Sequence, residues 1–219
     1  MLKQTKKIVV LISGSGSNLQ AIIDKLHHKS IDNVPIEITA VISNKKQALG
    51  LERAKKANIQ AIFIDAKKGG SREDYDKKLI NALDVLQPDL IVLAGFMRIL
   101  SATFIRHFAG KILNIHPSLL PKYTGLNTHQ RVIDAKENEH GASVHFVTAT
   151  LDAGPVVIQA KVPVFKEDTI QELAKRVLTQ EHQIYPLAIQ WFLFSRLKMQ
   201  GDHAILDGTI LPKNGKPAD

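Results

Sequence analysis

An asparagine and a histidine lie two residues apart near the middle of the chain, as Asn114 and His116 ahead of Pro117. Residues two apart on a β-strand point to the same face, so the two side chains project together if this segment is a strand. An amide N–H can stabilise an oxyanion, and an imidazole can exchange protons near pH 7. The pair is therefore a candidate for acyl-transfer chemistry. The alternative interpretation is a hydrogen-bonded core asparagine beside a histidine at a strand end.

A carboxylate further along the chain is a third candidate. Asp152 lies in a short link between two strand-like runs and is followed by Gly154 and Pro155. An aspartate in such a link is usually a turn residue. It becomes chemically relevant only if it faces His116, and the spacing does not show whether it does.

A glycine-rich turn follows the first apolar run, with Gly14 and Gly16 ahead of Ser17 and Asn18. A turn that opens a helix presents backbone N–H groups and a positive dipole end, which suit a phosphate. The full dinucleotide fingerprint is missing, and so is the lysine of an ATP-binding loop, which disfavours nicotinamide cofactors and ATP. A phosphate site and a simple tight turn both remain open interpretations.

Composition excludes several other kinds of site. The 219 residues contain no cysteine, so a disulfide, a thiolate zinc site and a cysteine nucleophile are excluded. His140 and His145 lack the spacing of a zinc motif, and no metal is expected. The net charge of +8 comes from scattered basic residues. It indicates acidic ligands, and small phosphorylated or carboxylated molecules are favoured over nucleic acid.

The apolar segments do not predict a membrane protein. The longest of them, residues 90–97, is interrupted by Arg98 and is far below the length of a membrane span. The apolar run near the amino terminus, residues 8–12, is too short for a secretory signal. We expect a cytoplasmic protein with no membrane partner.

Strands and helices alternate through the first half of the chain, which predicts an open, doubly wound, mostly parallel sheet. Ser71 begins a capping-box pattern for a helix to Leu86, and Ser101 is a candidate cap for a helix to Ala109. The other expected elements are strands at residues 6–13, 36–43, 59–65, 89–95 and 111–116, and helices at residues 19–26 and 47–58.

The pattern changes after Pro117. Two strand-like runs, residues 142–149 and 156–164, are joined by a short link and predict an antiparallel pair. A long helix is expected over about residues 169–197, with Pro186 as a kink. The Asp207-Gly208 dipeptide predicts a terminal hairpin. The fold class is therefore α/β, with an antiparallel C-terminal extension and a long C-terminal helix.

Several long segments of the chain resemble the phosphoribosylglycinamide formyltransferases, in particular the monofunctional bacterial type. They lie within residues 8–24, 93–100, 113–123 and 141–155, and the similarity extends over roughly residues 6–212. The resemblance implies the formyltransferase fold and transfer of a formyl group from 10-formyltetrahydrofolate, as co-substrate, to the amine of glycinamide ribonucleotide. It also implies one domain over residues 1–219, with a Rossmann-like phosphate-binding half over 1–110, a catalytic and folate-binding half over 111–200, and a C-terminal tail over 201–219.

The resemblance assigns roles to residues that match the family's motifs. The Asn-x-His-Pro and Leu-Asp-x-Gly-Pro motifs place the catalytic group on Asn114, His116 and Asp152. The amide and a protonated imidazole would stabilise the oxyanion, and the carboxylate would support the charge on the imidazole. Ribonucleotide contacts fall on Gly16, Ser17, Asn18, Gln180 and Glu181. Folate contacts fall on Arg72, Met97, Arg98, Ile99, Leu100, Asn114, Thr148, Ala149, Thr150 and Leu151. The partners implied are these two small molecules, with the chain itself a monomer or weak homodimer.

The chain departs from the family's pattern at Thr124, Asn127, Leu178 and Ala149, which affects the edges of the substrate contacts. Two related activities are alternatives. Methionyl-tRNA formyltransferases share the Asn-x-His-Pro motif but carry a further RNA-binding domain and lack the Gly-Ser-Asn turn. Formyltetrahydrofolate deformylases add an amino-terminal regulatory domain. A third alternative is a folate- or nucleotide-binding module without activity. Such a module would not require the intact catalytic group that this chain carries.

Overall fold

The computed structural model describes residues 4–65 and 70–218. The chain divides into two compact units, with the boundary after Ile112. Each unit has its own set of strands and helices.

The first unit is built on a parallel sheet. Its central strand β1 pairs with β3 on one side and with β5 on the other, β3 also pairs with β4, and all three pairings are parallel. A short strand, β2, pairs antiparallel with β3. The strands are β1 (Lys6–Ile12), β2 (Ser30–Ile31), β3 (Val34–Ser43), β4 (Gln60–Phe63) and β5 (Leu90–Leu93). The helices are α1 (Ser17–Leu26), α2 (Leu49–Lys56), α3 (Arg72–Leu86) and α4 (Ala102–His107).

The sequence of β1 explains its central position. Residues 8–12 are all aliphatic and fully buried, as expected for a strand covered on both faces. Two of the four helices begin at the serines that the sequence indicated. The Ser71 hydroxyl accepts a hydrogen bond from the Asp74 N–H, and the Ser101 hydroxyl accepts one from the Phe104 N–H. Each bond satisfies a backbone donor that the first turn of a helix leaves open.

The second unit contains an antiparallel arrangement of three long strands, in which β7 pairs with both β6 and β8. A short strand, β12, adds to β8 in parallel, and β9, β10 and β11 form a separate antiparallel sheet. The strands are β6 (Ile112–His116), β7 (Glu139–Phe146), β8 (Val156–Pro163), β9 (Leu197–Gln200), β10 (His203–Leu206), β11 (Thr209–Ile210) and β12 (Lys216–Pro217). The helices are α5 (Thr128–Asp134) and α6 (Ile170–Leu193).

The long helix α6 covers β7 and β8. Thr169 and Glu172 form a reciprocal capping box at its start. The side chains that it buries are mostly aliphatic or aromatic, and they include Leu173, Val177, Ile184, Tyr185 and Trp191. This amphipathic pattern holds α6 to the sheet through apolar burial.

The predicted fold class is confirmed, several expected elements are one or two residues shorter at their ends, and two elements differ more. The helix expected to reach residue 197 ends at Leu193, because Ser195 takes a left-handed conformation at φ 59°. The Arg196 N–H then donates to the Trp191 carbonyl, which closes the helix. The second element is the strand expected over residues 142–149, which instead runs from Glu139 to Phe146. The terminal hairpin is confirmed, because Leu206 pairs with Thr209 across the Asp207-Gly208 turn. In the part of the chain that the structure describes, no helix combines the length with the apolar character that a membrane crossing requires.

Candidate active site

Strand β6 holds two of the predicted catalytic side chains. Its residues alternate in direction, so Asn114 and His116 share one face, as predicted. The register with β7 places His145 opposite Asn114 and Ser143 opposite His116. The Tyr185 hydroxyl of α6 donates to the Leu113 carbonyl at 3.0 Å and anchors the strand.

His116 lies between a carbonyl and a carboxylate. Its Nε2 donates to the Tyr123 carbonyl at 2.9 Å, and its Nδ1 lies 3.6 Å from Asp152 Oδ2. Both side chains are less than a tenth exposed. A carbonyl can only accept, so Nε2 carries a proton, and a second proton on Nδ1 would face a carboxylate oxygen. The imidazolium form of His116 therefore has an acceptor at each nitrogen.

The turn between β7 and β8 aims Asp152 at this site. Asp152 adopts a left-handed conformation at φ 50°, and its Oδ2 accepts a hydrogen bond from the Gly125 N–H at 2.9 Å. Gly154 allows the close approach within the turn, because a Cβ there would overlap the Phe146 carbonyl oxygen. The turn residue that spacing alone left undecided does face His116, so the structure brings the three predicted catalytic residues together.

A fourth residue of the site was not predicted. His145 on β7 is buried, and its Nε2 lies 3.0 Å from Asn114 Nδ2 and 3.9 Å from Asp152 Oδ1. Its Nδ1 donates to the Phe146 carbonyl at 2.9 Å. Burial lowers the pKa of His145 to about 4. The signal that could have revealed it was the expected pairing of strands, since a residue opposite Asn114 on an adjacent strand shares its face.

A second histidine pair lies in the same unit. His140 Nε2 and His129 Nδ1 are 3.0 Å apart, and His140 is 1% exposed. Burial, together with the nearby His129 and His116, lowers the pKa of His140 to about 4. Burial also lowers the pKa of His129. At neutral pH both rings of this pair are therefore uncharged.

The remaining predicted residues of the second unit lie in a link and on a helix. Residues 148–151 form the link that follows β7, in which Leu151 is 55% exposed. Gln180 and Glu181 lie on α6, and Glu181 is buried. The Arg131 guanidinium donates to the Thr124 carbonyl at 2.6 Å at one of the departures from the family pattern.

In the first unit, the predicted phosphate turn opens α1. Gly16 precedes the helix at φ 72°, a left-handed conformation, and Ser17 and Asn18 are its first two residues. Within the described residues, no side chain caps this helix by a hydrogen bond. The turn also borders a cleft of about 530 Å³, which the sequence pattern does not indicate. The lining residues are Ser13, Gly14, Ser15, Lys45, Lys46, Gln47, Ala48 and Leu49.

The predicted folate segment, residues 97–100, follows β5 in the first unit. The Met97 N–H donates to Ser13 Oγ at 2.8 Å, while the Met97 and Ile99 side chains are 64% and 53% exposed. The Arg98 guanidinium lies 4.4 Å above the Tyr75 ring. Arg72 is the first residue of α3 and is exposed. The segment thus combines an anchored backbone with exposed apolar side chains.

Asn114, His116, Asp152 and His145 form a compact polar group at the end of a strand. It offers an amide donor for an oxyanion, an imidazole that can carry positive charge, and a carboxylate that can exchange protons with that imidazole. No group of three or more histidine, aspartate or glutamate side chains arranged to hold a metal ion occurs in residues 4–65 or 70–218. The fold and this group define an α/β protein with the donors that acyl transfer requires.

The similarity to known proteins identifies the family. The profile of the Formyl transferase family matches residues 6–189, and the chain belongs to this family. The phosphoribosylglycinamide formyltransferase of Escherichia coli is 56% identical over 212 residues, covering 97% of this chain and 99% of that protein. The trifunctional purine biosynthetic protein adenosine-3 of Drosophila melanogaster is 46% identical over 190 residues, which are 86% of this chain and 14% of that protein. The structure of the phosphoribosylglycinamide formyltransferase from Coxiella burnetii superposes with a TM-score of 0.91 at 48% identity, covering 98% of this chain and 100% of that one.

Proposed function

We propose that this protein transfers the formyl group of 10-formyltetrahydrofolate to the primary amine of glycinamide ribonucleotide, in purine biosynthesis. The names of the relatives from Escherichia coli and Coxiella burnetii support the acceptor and the transferred group. The observation that carries the proposal is that Asp152, from a distant turn, lies against His116 on the strand that also carries Asn114. The single-domain organisation and the cytoplasmic location remain predictions of the sequence.

The second unit supplies the chemical groups. Asn114 would donate an N–H to the formyl oxygen as negative charge develops there during attack by the amine. His116, facing Asp152 at 3.6 Å, would in its charged form add positive charge beside the developing oxyanion. Asp152 would then receive the proton that the amine releases, directly or through water. The bond between the formyl carbon and the folate nitrogen would break as the tetrahedral intermediate collapses, and that nitrogen would leave with a proton returned to it, directly or through water. The side chains that these steps use are linked in the structure, since Asp152 lies 3.6 Å from His116 and 3.9 Å from His145, and His145 lies 3.0 Å from Asn114.

Glu181 and Gln180 on α6 are the proposed contacts to the glycinamide and ribose. A buried carboxylate such as Glu181 is a suitable acceptor for an amine or a ribose hydroxyl. In the first unit, the helix start at Gly16, Ser17 and Asn18 is the proposed phosphate contact, because backbone N–H groups and the positive end of the helix dipole suit an anion there. The nearby Lys45 and Lys46 add positive charge to the cleft.

The co-substrate supplies the formyl carbon and a planar heteroaromatic ring. The exposed Met97 and Ile99 fit such a ring, since apolar side chains stack on its faces while backbone groups pair with its edge. Arg72 and Arg98 would pair with the carboxylates of the co-substrate. Leu100 is the last residue of this segment. The second proposed contact with the co-substrate lies in the second unit and consists of Thr148, Ala149, Thr150 and Leu151.

The test compares three acceptors in one assay, with folate product followed by absorbance. Glycinamide ribonucleotide, methionyl-tRNA and water are each supplied as the sole acceptor. We expect product with the ribonucleotide alone. Formation of product with methionyl-tRNA or with water at a comparable rate would instead support one of the two related activities and overturn the proposal.

Substitution of the oxyanion donor tests the assignment of the site. Asn114→Ala should lower turnover by about 100- to 1,000-fold, the usual effect of losing one such donor. Asn81→Ala is the matched control, because Asn81 is exposed on α3. Near-normal turnover in a folded Asn114→Ala protein would show that this group is not the catalytic site.

A further inference from the structure

The proton of the buried His145 ring is fixed by its own strand. Nδ1 lies 2.9 Å from the Phe146 carbonyl, and a carbonyl oxygen only accepts, so Nδ1 carries the proton. Burial of the ring disfavours a second proton and lowers the pKa of His145 to about 4. At neutral pH the Nε2 atom is therefore a lone-pair acceptor.

This acceptor faces an amide that has two possible orientations. Asn114 presents Nδ2 to His145 Nε2 at 3.0 Å, which makes a hydrogen bond from the amide to the imidazole. Rotation of the amide by half a turn would bring Oδ1 against the lone pair of Nε2. Two buried acceptors would then face each other without a hydrogen bond, which is unfavourable. The neutral imidazole thus selects one of the two amide orientations.

We propose that His145 is a positioning residue that fixes the orientation of the Asn114 amide, so that an N–H rather than Oδ1 is available to the oxygen of the reacting formyl group. One N–H of Nδ2 is used on His145, and the other remains for the substrate. The inference rests on the proposed function, in which Asn114 stabilises the oxyanion. In the opposite orientation, Oδ1 would repel the developing charge.

The charged neighbours of His145 fit the same arrangement. Asp152 Oδ1 lies 3.9 Å from Nε2, and His116 is the other ionisable group near the ring. If Nε2 carried a proton, it would become a donor to Asp152 and would no longer accept from Asn114. A neutral His145 therefore leaves Asp152 to His116 and Gly125, with which it already interacts.

Two substitutions at the same position separate positioning from simple packing. A glutamine can place its side-chain oxygen near the position of Nε2, whereas an asparagine is shorter and reaches only the region of Nδ1. We expect His145→Asn to lower kcat by about 100-fold or more, with little change in either KM, since an interaction made in the transition state is lost. His145→Gln should recover at least tenfold of that loss. Equal activity of the two variants, with both folded, would overturn the proposal.

A double substitution tests whether His145 acts through Asn114. If it does, His145→Asn should cause little further loss in an Asn114→Ala background, because the amide that it orients is already gone. A further loss as large as in the wild type would show that His145 acts independently of Asn114. Circular dichroism and urea unfolding establish that each variant is folded.

The ring of the wild-type protein gives a measurement that does not depend on activity. The ¹⁵N chemical shifts of His145 distinguish the two neutral tautomers and the imidazolium. We expect the Nδ1–H tautomer at pH 7, and an Nε2–H tautomer or an imidazolium would overturn the inference. A protein with this tautomer that transfers no formyl group would instead contradict the proposed function, so the two failures are distinguishable.

Discussion

The buried pair His140 and His129 predicts a specific loss of stability in acid. His140 is 1% exposed on β7, and its pKa falls from an ordinary value of 6.5 to about 4 because burial penalises the charged ring. The unfolded chain therefore binds a proton at His140 between these two pH values, while the folded chain does not. Stability contributed by the neutral ring is complete above pH 6.5 and is lost as the pH falls toward 4.

The size of this effect follows from the difference between the two pKa values. For a single group with these values, the free energy of unfolding decreases by about 1 kcal/mol by pH 5.5 and by about 3 kcal/mol by pH 4. His145 has the same direction of shift and adds a similar dependence. The substitution His140→Gln removes only the first contribution, and the glutamine amide can still pair with His129 Nδ1.

The assay is urea unfolding of the wild type and His140→Gln at a series of pH values between 7 and 4.5. The wild type should lose stability more steeply with acid, so the difference between the two proteins changes by about 2 kcal/mol over this range. His203→Gln is the control, because His203 is exposed on β10. Parallel pH profiles for the wild type and His140→Gln would refute the assignment of a buried neutral ring to His140.

Three further predictions concern the supports of the site and the start of α6. Gly154→Ala should destabilise the protein by about 3 kcal/mol or more in urea unfolding, because the new Cβ would overlap the Phe146 carbonyl oxygen, and an unchanged midpoint would contradict this. Tyr185→Phe should cost about 1 kcal/mol, since it removes a buried hydrogen bond to β6, and no loss would mean that this bond contributes nothing. Pairing with Arg176 lowers the pKa of Asp168 to about 2, so its contribution is present above about pH 4 and is lost as the pH falls through 2. Asp168→Asn should therefore lower the free energy of unfolding by up to about 1 kcal/mol at pH 7. An unchanged free energy of unfolding in the variant would show that the ion pair does not stabilise the protein.

Local chemistry made most of the fold predictable. The aliphatic run of β1, the serines that cap α3 and α4, and the threonine that caps α6 each specify their element from a few adjacent residues. The end of α6 was not predictable in this way, because Ser195 adopts the left-handed conformation that glycine usually supplies. Short strands such as β12 depend on pairing with a distant strand and have no local pattern of their own.

The residues of the candidate site also differ in whether local sequence or long-range pairing places them. Asn114 and His116 could be predicted to share a face because they lie on one strand. Asp152 and His145 reach them only through strand pairing and a turn, which sequence spacing does not determine. A resemblance to known motifs identified Asp152, while His145 became visible only from its hydrogen bonds to Asn114 and the Phe146 carbonyl.

The glycine at the start of α1 shows why a motif and its ligand need separate tests. Gly16 has a left-handed φ of 72°, and a Cβ there would lie 2.7 Å from the Gly50 Cα. Both facts require glycine before any phosphate is considered. A substitution at Gly16 would therefore damage the packing of α1 against α2 whether or not the turn binds an anion. Changes at the first residues of the helix, Ser17 and Asn18, or at Lys45 and Lys46 along the cleft, leave that close approach intact. Substitutions at these four residues, unlike one at Gly16, can therefore separate a loss of ribonucleotide affinity from a loss of structure.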